Sequence, residues 1–83
     1  MPIRFTSHFH TRFMERIRNR KWLCVGTYYS QLSDIENVLA RKLKSFKNKG
    51  VEIMELKVDI SNIIRVVGCF EDQGFVVKTV YVK

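Results

Sequence analysis

The stretch Ile63–Lys83, IIRVVGCFEDQGFVVKTVYVK, holds two β-rich runs on either side of a turn. Ile63 to Phe70 is apolar on both alternating faces, as in a central strand. GFVVKTVYVK, from Gly74 onward, is dense in β-branched and aromatic residues and reads as its hairpin partner. Glu71-Asp72-Gln73-Gly74 joins them, too short a connection for anything but antiparallel pairing. If Gly74 closes a three-residue loop in the left-handed conformation, Glu71 pairs with Phe75 and Arg65 stands opposite Tyr81, with Thr79 diagonally beside it. A four-residue loop instead sets Arg65 opposite Val80 and brings Lys78 near. Either register puts a polar group beside Arg65.

Upstream, Val51 to Asp59 alternates, with Met54, Leu56 and Val58 on one face and Glu55, Lys57 and Asp59 on the other, as in a half-buried strand. The chain therefore ends in a three-stranded meander. Before it the period changes to that of a helix. Ile35, Val38, Leu39, Leu43 and Phe46 form one stripe, Ser33-Asp34-Ile35-Glu36 has the spacing of a capping box, and Gly50 is placed to end the helix. An earlier helix runs from Ser7 to about Asn19, with Thr6 or Ser7 as N-cap and Phe9, Phe13, Met14 and Ile17 on its apolar side. WLCVGTYYSQL between the helices suits either a strand or a packed connection. Ile3-Arg4-Phe5 is the one candidate strand ahead of the first helix. The expected class is α+β, with two N-terminal helices packed on a three- to four-stranded antiparallel sheet.

Eighty-three residues, 46% of them hydrophobic and 28% charged, suit one folding domain over 1–83 and no second core. Cys24 and Cys69 are isolated, without the spacing of a zinc site or a disulfide scaffold, and read as buried thiols. No signal-like h-region or membrane-spanning run is present, so the expected location is the cytoplasm, away from membranes.

The net charge of +7 is concentrated. Residues 1–21 carry +5 through Arg4, Arg12, Arg16, Arg18, Arg20 and Lys21 against Glu15, and Arg41, Lys42, Lys44, Lys47 and Lys49 add another +5. Clustered charge of this kind attracts phosphate backbones, whereas interspersed charge mainly aids solubility. Arg12, Arg16, Arg18, Arg20, Lys21, Arg41, Lys44 and Lys47 are the candidate nucleic-acid contacts. A solvated helix face is the competing account. Trp22, Tyr28 and Tyr29 have the chemistry to stack on bases, and also the spacing of a core or strand.

Arg65 is the most informative single residue. An arginine inside an apolar strand needs a carboxylate, a bound phosphate or a route to water, and Glu55 or Asp59 on the neighbouring strand offers the carboxylate. Glu55 and Lys57 share one face, as an acid and base held side by side or as an ordinary cross-strand surface. His8 and His10 diverge by about 200° on a helix and do not share a metal ion. His10 falls on the apolar stripe, as a hydrogen-bonded core histidine. His8 lies one turn from Arg12, where it has access to both a phosphate and a proton. No phosphate loop, nucleophile elbow or triad spacing is visible, so nucleotide hydrolysis and acyl transfer have no support.

Two basic helices followed by a meander ending in VVKTVYVK resemble the RelE/ParE-like superfamily of small bacterial toxins. The opening FTSHFHTRFMERI is similar to the H-x(3)-R-x(3)-R start of a family near it. The resemblance touches about half the chain. It implies a barnase-like ribonuclease fold in which RNA lies over a concave sheet and basic residues cleave it without metal or cofactor. In such a site the matching residues are Arg65 and Tyr81, with Lys57 and Glu55 as the charged pair on the preceding strand and His8 as an alternative base. It also implies RNA as partner, and an acidic antitoxin-like protein as restraint. Two other readings stand beside this one: a nucleic-acid-binding regulator without catalysis, and a small inhibitor module that docks on an acidic protein.

Overall fold

The computed structural model describes residues 2–47, 55–71 and 74–83. Expectations that rest on Asn48, Gly50, Met54 or the Asp72-Gln73 turn lie outside the described residues, as do those on the side chains of Phe46 and Lys47.

The first helix begins where the Thr6 side chain accepts from the backbone N–H of Phe9 at 3.1 Å, in place of a missing helical partner. It runs as α1 (Ser7–Phe13) and continues as a π-helical segment (Met14–Arg18), with Asn19 N–H donating to Met14 O. In an α-helix, residues four apart overshoot a full turn by about 40°. The wider π turn takes this drift back, so Phe9, Phe13 and Ile17 are all fully buried on one line. Met14, expected on that stripe, is rotated outward and is 47% exposed.

The second helix, α2 (Tyr28–Lys47), starts five residues before the expected capping box. Gly26 turns the chain with φ +67°, and the Thr27 hydroxyl accepts from Ser30 N–H at 3.1 Å, so the cap is made before Ser33 is reached. The segment 22–32 is therefore not a strand. It divides into a turn, in which Leu23 and Cys24 both donate to Arg20 O at 3.0 Å, and the opening turns of α2. Leu23 anchors this turn in the core. Gln31, Ile35, Leu39 and Leu43 form the buried line of α2, and Gln31 Nε2 donates to Leu23 O at 2.8 Å. Of the expected stripe, Ile35, Leu39 and Leu43 are buried, while Val38 is only half-buried and does not join the core.

The sheet has the order β1-β4-β3-β2, from β1 (Ile3–Phe5), β2 (Leu56–Asp59), β3 (Ile64–Glu71) and β4 (Gly74–Val82). The C-terminal meander is present as expected, β2 with β3 and β3 with β4 both antiparallel. The sheet as a whole is mixed, because β1 pairs with β4 in parallel. Local periodicity cannot reveal this, since β1 and β4 are separated in sequence by both helices and the rest of the meander. Pro2 O accepts from Phe75 N–H at 2.9 Å, and Thr6 N–H donates to Val77 O at 3.1 Å.

Glu71 pairs with Gly74 and not with Phe75, one residue from the expected register. A shift between Val67 and Gly68 takes up the difference by leaving Lys78 between Val77 and Thr79, and Arg65 does stand opposite Tyr81. Gly68 makes this irregularity possible. A Cβ there would lie 2.3 Å from Val76 O and 2.7 Å from the Phe75 ring.

The helices supply Phe9, Phe13, Ile17, Leu23, Ile35, Leu39 and Leu43 to one core, and the sheet supplies Leu56, Val58, Val66, Phe75, Val77 and Val80. By alternation Val67, Cys69 and Val76 belong to the other face; they are buried without joining that core. Both cysteines are free, Cys69 buried and Cys24 half-buried. No helix among the described residues is long and apolar enough to cross a membrane.

Candidate functional site

The outward face of the sheet carries a polar row across three strands. Asp59 on β2 pairs with Arg65 on β3, which pairs with Tyr81 on β4, and the adjacent row is Lys57, Val67 and Thr79. The β2–β3 turn fixes the first contact: Ile60 N–H donates to Ile64 O at 2.8 Å, and the Ser61 hydroxyl accepts from Ile63 and Ile64 N–H at 3.2 Å. Lys83, two residues beyond Tyr81, falls on the same face.

An open depression of about 410 Å³ on this face is walled by Glu55, Lys57, Arg65, Val67, Tyr81, Val82 and Lys83. A second depression, also about 410 Å³, shares Lys57 and Arg65 and adds Lys42, Val58 and Asp59. Four of the five residues expected to carry chemistry, Glu55, Lys57, Arg65 and Tyr81, are therefore brought together. His8 is exposed on α1 and lines neither depression.

Of the two carboxylates weighed for Arg65, Asp59 is the one it meets. Arg65 Nε donates to Asp59 Oδ1 at 2.6 Å and Lys83 Nζ to Asp59 Oδ2 at 3.0 Å, while Lys42 Nζ donates to the Asp59 carbonyl. The hydrogen bonds from Arg65 and Lys83 hold the Asp59 carboxyl at about 2, below its ordinary 3.8. The same pair raises Arg65. Arg65 uses only Nε in this contact; among the described residues, nothing accepts from its two terminal nitrogens. A guanidinium held by one edge keeps its other donors for a second anion.

Tyr81 is positioned from the helical layer. β1 covers β4 only at Phe75–Val77, and the edge beyond is closed by side chains: Thr6 Oγ1 donates to Lys78 O at 3.3 Å and Arg16 Nη1 to Val80 O at 2.8 Å. The Arg16 guanidinium also lies over the Tyr81 ring, 4.7 Å from its centroid.

The arginines of the first helix are thus largely occupied. Arg12 pairs with Glu15 at 2.8 Å, Arg16 holds β4, and Arg18 donates to Gly26 O at 3.1 Å and Gln31 Oε1 at 3.2 Å. Arg20, Lys21, Arg41 and Lys44 remain exposed; the Lys47 side chain lies outside the described residues. His10 is a half-buried structural histidine whose Nδ1 is hydrogen-bonded to the Tyr28 hydroxyl. Burial raises Tyr28 above its ordinary value, with Tyr29 adding and Arg18 opposing. Among the described residues no three His, Cys, Asp or Glu side chains are grouped to hold a metal.

Lys83 and Lys42 are members of the site that the sequence reading does not single out. Alternation from Tyr81 was a signal for Lys83, but Lys42 comes from a helix remote in sequence and has none. Compared with protein-family models, curated proteins and solved structures, the chain finds no match in any of the three.

Proposed function

We propose that the protein binds RNA across the open face of its sheet and cleaves it there as an endoribonuclease of the RelE-like kind. The observation that carries this reading is the meeting of Glu55, Lys57, Arg65, Tyr81 and Lys83 around one depression, a carboxylate, three cations and a phenol drawn from β2, β3 and β4 and the residues at their ends. In this scheme Glu55 takes the 2′-hydroxyl proton and the 2′-oxygen attacks the adjacent phosphorus. The terminal nitrogens of Arg65, with Lys57 and Lys83, stabilise the added negative charge of the phosphorane. Tyr81 gives its proton to the departing 5′-oxygen, leaving a 2′,3′-cyclic phosphate and a 5′-hydroxyl. No step calls on a metal ion. Arg16, over the Tyr81 ring, acts as a positioning residue.

The test is incubation of purified protein with mixed RNA in the presence of EDTA, read on a denaturing gel with end-group analysis. Fragments ending in cyclic phosphate are expected, with Arg65→Ala and Tyr81→Phe each slowing cleavage by about a hundredfold or more. His8→Ala is expected to cleave at the parent rate. Unchanged cleavage by Arg65→Ala sinks the assignment.

A binding-only reading has one observation in its favour: Asp59 already neutralises part of the charge on Arg65 and Lys83, a sufficient structural reason for both cations. It predicts intact RNA that shifts on a native gel, with steep weakening by salt. An acidic protein partner on the same face would compete with RNA for it.

A further inference from the structure

Away from the sheet depression, the turn between the helices exposes large apolar side chains that the core does not use. Trp22 is 64% exposed, Val25 66% and Tyr29 81%. They occupy a segment of eight residues that is held in shape: Gln31 ties Leu23 to α2, Arg18 bridges Gly26 and Gln31, and Leu23 is anchored in the core. The aromatic groups are therefore presented from a fixed turn and a helix start. Arg20 and Lys21 adjoin Trp22 and are exposed, and no acidic residue occurs in the chain between Glu15 and Asp34.

We infer that this turn is a second nucleic-acid contact, in which unpaired bases stack on Trp22 and Tyr29 while Arg20 and Lys21 meet the flanking phosphates. Exposed rings beside cations that have no carboxylate partner among the described residues match a single strand, whose bases offer open faces and whose backbone is anionic. A base-paired duplex has its faces covered and gains only the electrostatic part. An acidic protein satisfies the cations but has no need of two exposed aromatic rings. The inference rests on the nucleic-acid reading above and extends it to a strand held at two places, one for chemistry and one for capture.

Trp22 is the only tryptophan, so its fluorescence reports this turn alone. The full chain is titrated with a short 2′-O-methylated oligoadenylate, which cannot be cleaved through its 2′-oxygen, and with the corresponding duplex. Saturable quenching by the single strand and little by the duplex is expected. In fluorescence anisotropy with a labelled strand, Trp22→Ala and Tyr29→Ala are each expected to weaken binding about tenfold, with Trp22→Phe restoring most of it. Both variants should keep the parent circular dichroism, since the replaced rings are outside the core. Equal quenching by duplex and single strand, or affinity unchanged in both alanine variants, overturns the inference. So does quenching by anionic phospholipid vesicles but not by the oligonucleotide. RNA cleavage that depends on Arg65 while Trp22 fluorescence stays constant removes this site and leaves the sheet site standing. Quenching with cleavage absent or indifferent to Arg65→Ala does the reverse.

Discussion

Gly68→Ala tests the link between strand register and the site. The new Cβ would sit 2.3 Å from the Val76 carbonyl oxygen and 2.7–2.8 Å from two atoms of the Phe75 ring. Neither neighbour can retreat easily. The carbonyl belongs to the backbone of β4, and Phe75 is 1% exposed, packed edge-on against Phe70 with ring centroids 5.1 Å apart. Overpacking of this kind costs about 1–3 kcal/mol, and contact with backbone puts Gly68 at the upper end. Alanine returns about 0.4–1 kcal/mol by restricting the unfolded chain, leaving a net loss of about 2–2.5 kcal/mol. A domain of 83 residues has about 4–12 kcal/mol in total, so the loss is a large fraction. At about 4–8 °C per kcal/mol, the midpoint of thermal unfolding should fall by about 10–20 °C, measured by far-ultraviolet circular dichroism. A midpoint equal to or above that of the parent would show that the strands do not approach closely at Gly68, and would refute the account of how Arg65 comes to face Tyr81.

Three further outcomes follow from particular contacts. The carboxyl of Asp59 titrates at about 2 in the folded chain against an ordinary 3.8, so the native state binds fewer protons between these values. Its contribution to stability is complete above the ordinary value and is lost as pH falls through about 2; unfolding midpoints of the parent and Asp59→Asn, compared across that range, should converge on acidification. Arg16→Lys keeps the charge but loses the flat guanidinium over Tyr81, and should cost about 0.5–1 kcal/mol in urea unfolding, with cleavage slowed through Tyr81 more than binding is weakened. Gly26→Ala forces a Cβ into a residue at φ +67°, 2.7 Å from Ser30 Oγ, and should cost about 1–2 kcal/mol in the same assay.

Short-range physics, and with it much of the local structure, is legible in the residue pattern. Alternation set the meander, and the spacing of Phe9, Phe13, Ile17, Ile35, Leu39 and Leu43 set which helix faces turn inward. An arginine in an apolar strand marked Arg65, alternation put Glu55 and Lys57 on one face, and Tyr81 entered through the resemblance to the RelE/ParE-like superfamily. Where α2 begins was misread because two capping signals compete over a few residues, and the turn held by Gln31 and Arg18 makes the earlier one available. The remainder was set by the packing of the layers. It laid β1 parallel to β4 and placed the shift at Gly68 that offsets the unexpected pairing of Glu71 with Gly74. It chose Asp59 for Arg65 and brought Lys42 to Asp59 from a helix. It also turned Arg16 and Arg18 toward backbone carbonyls outside their helix, Val80 O and Gly26 O, while Arg12, alike in sequence, meets Glu15 one helical turn on. A local pattern records which face a side chain occupies. It does not record which distant backbone carbonyl or carboxylate will come within reach of a long cationic side chain, because that distance is set only when the layers pack.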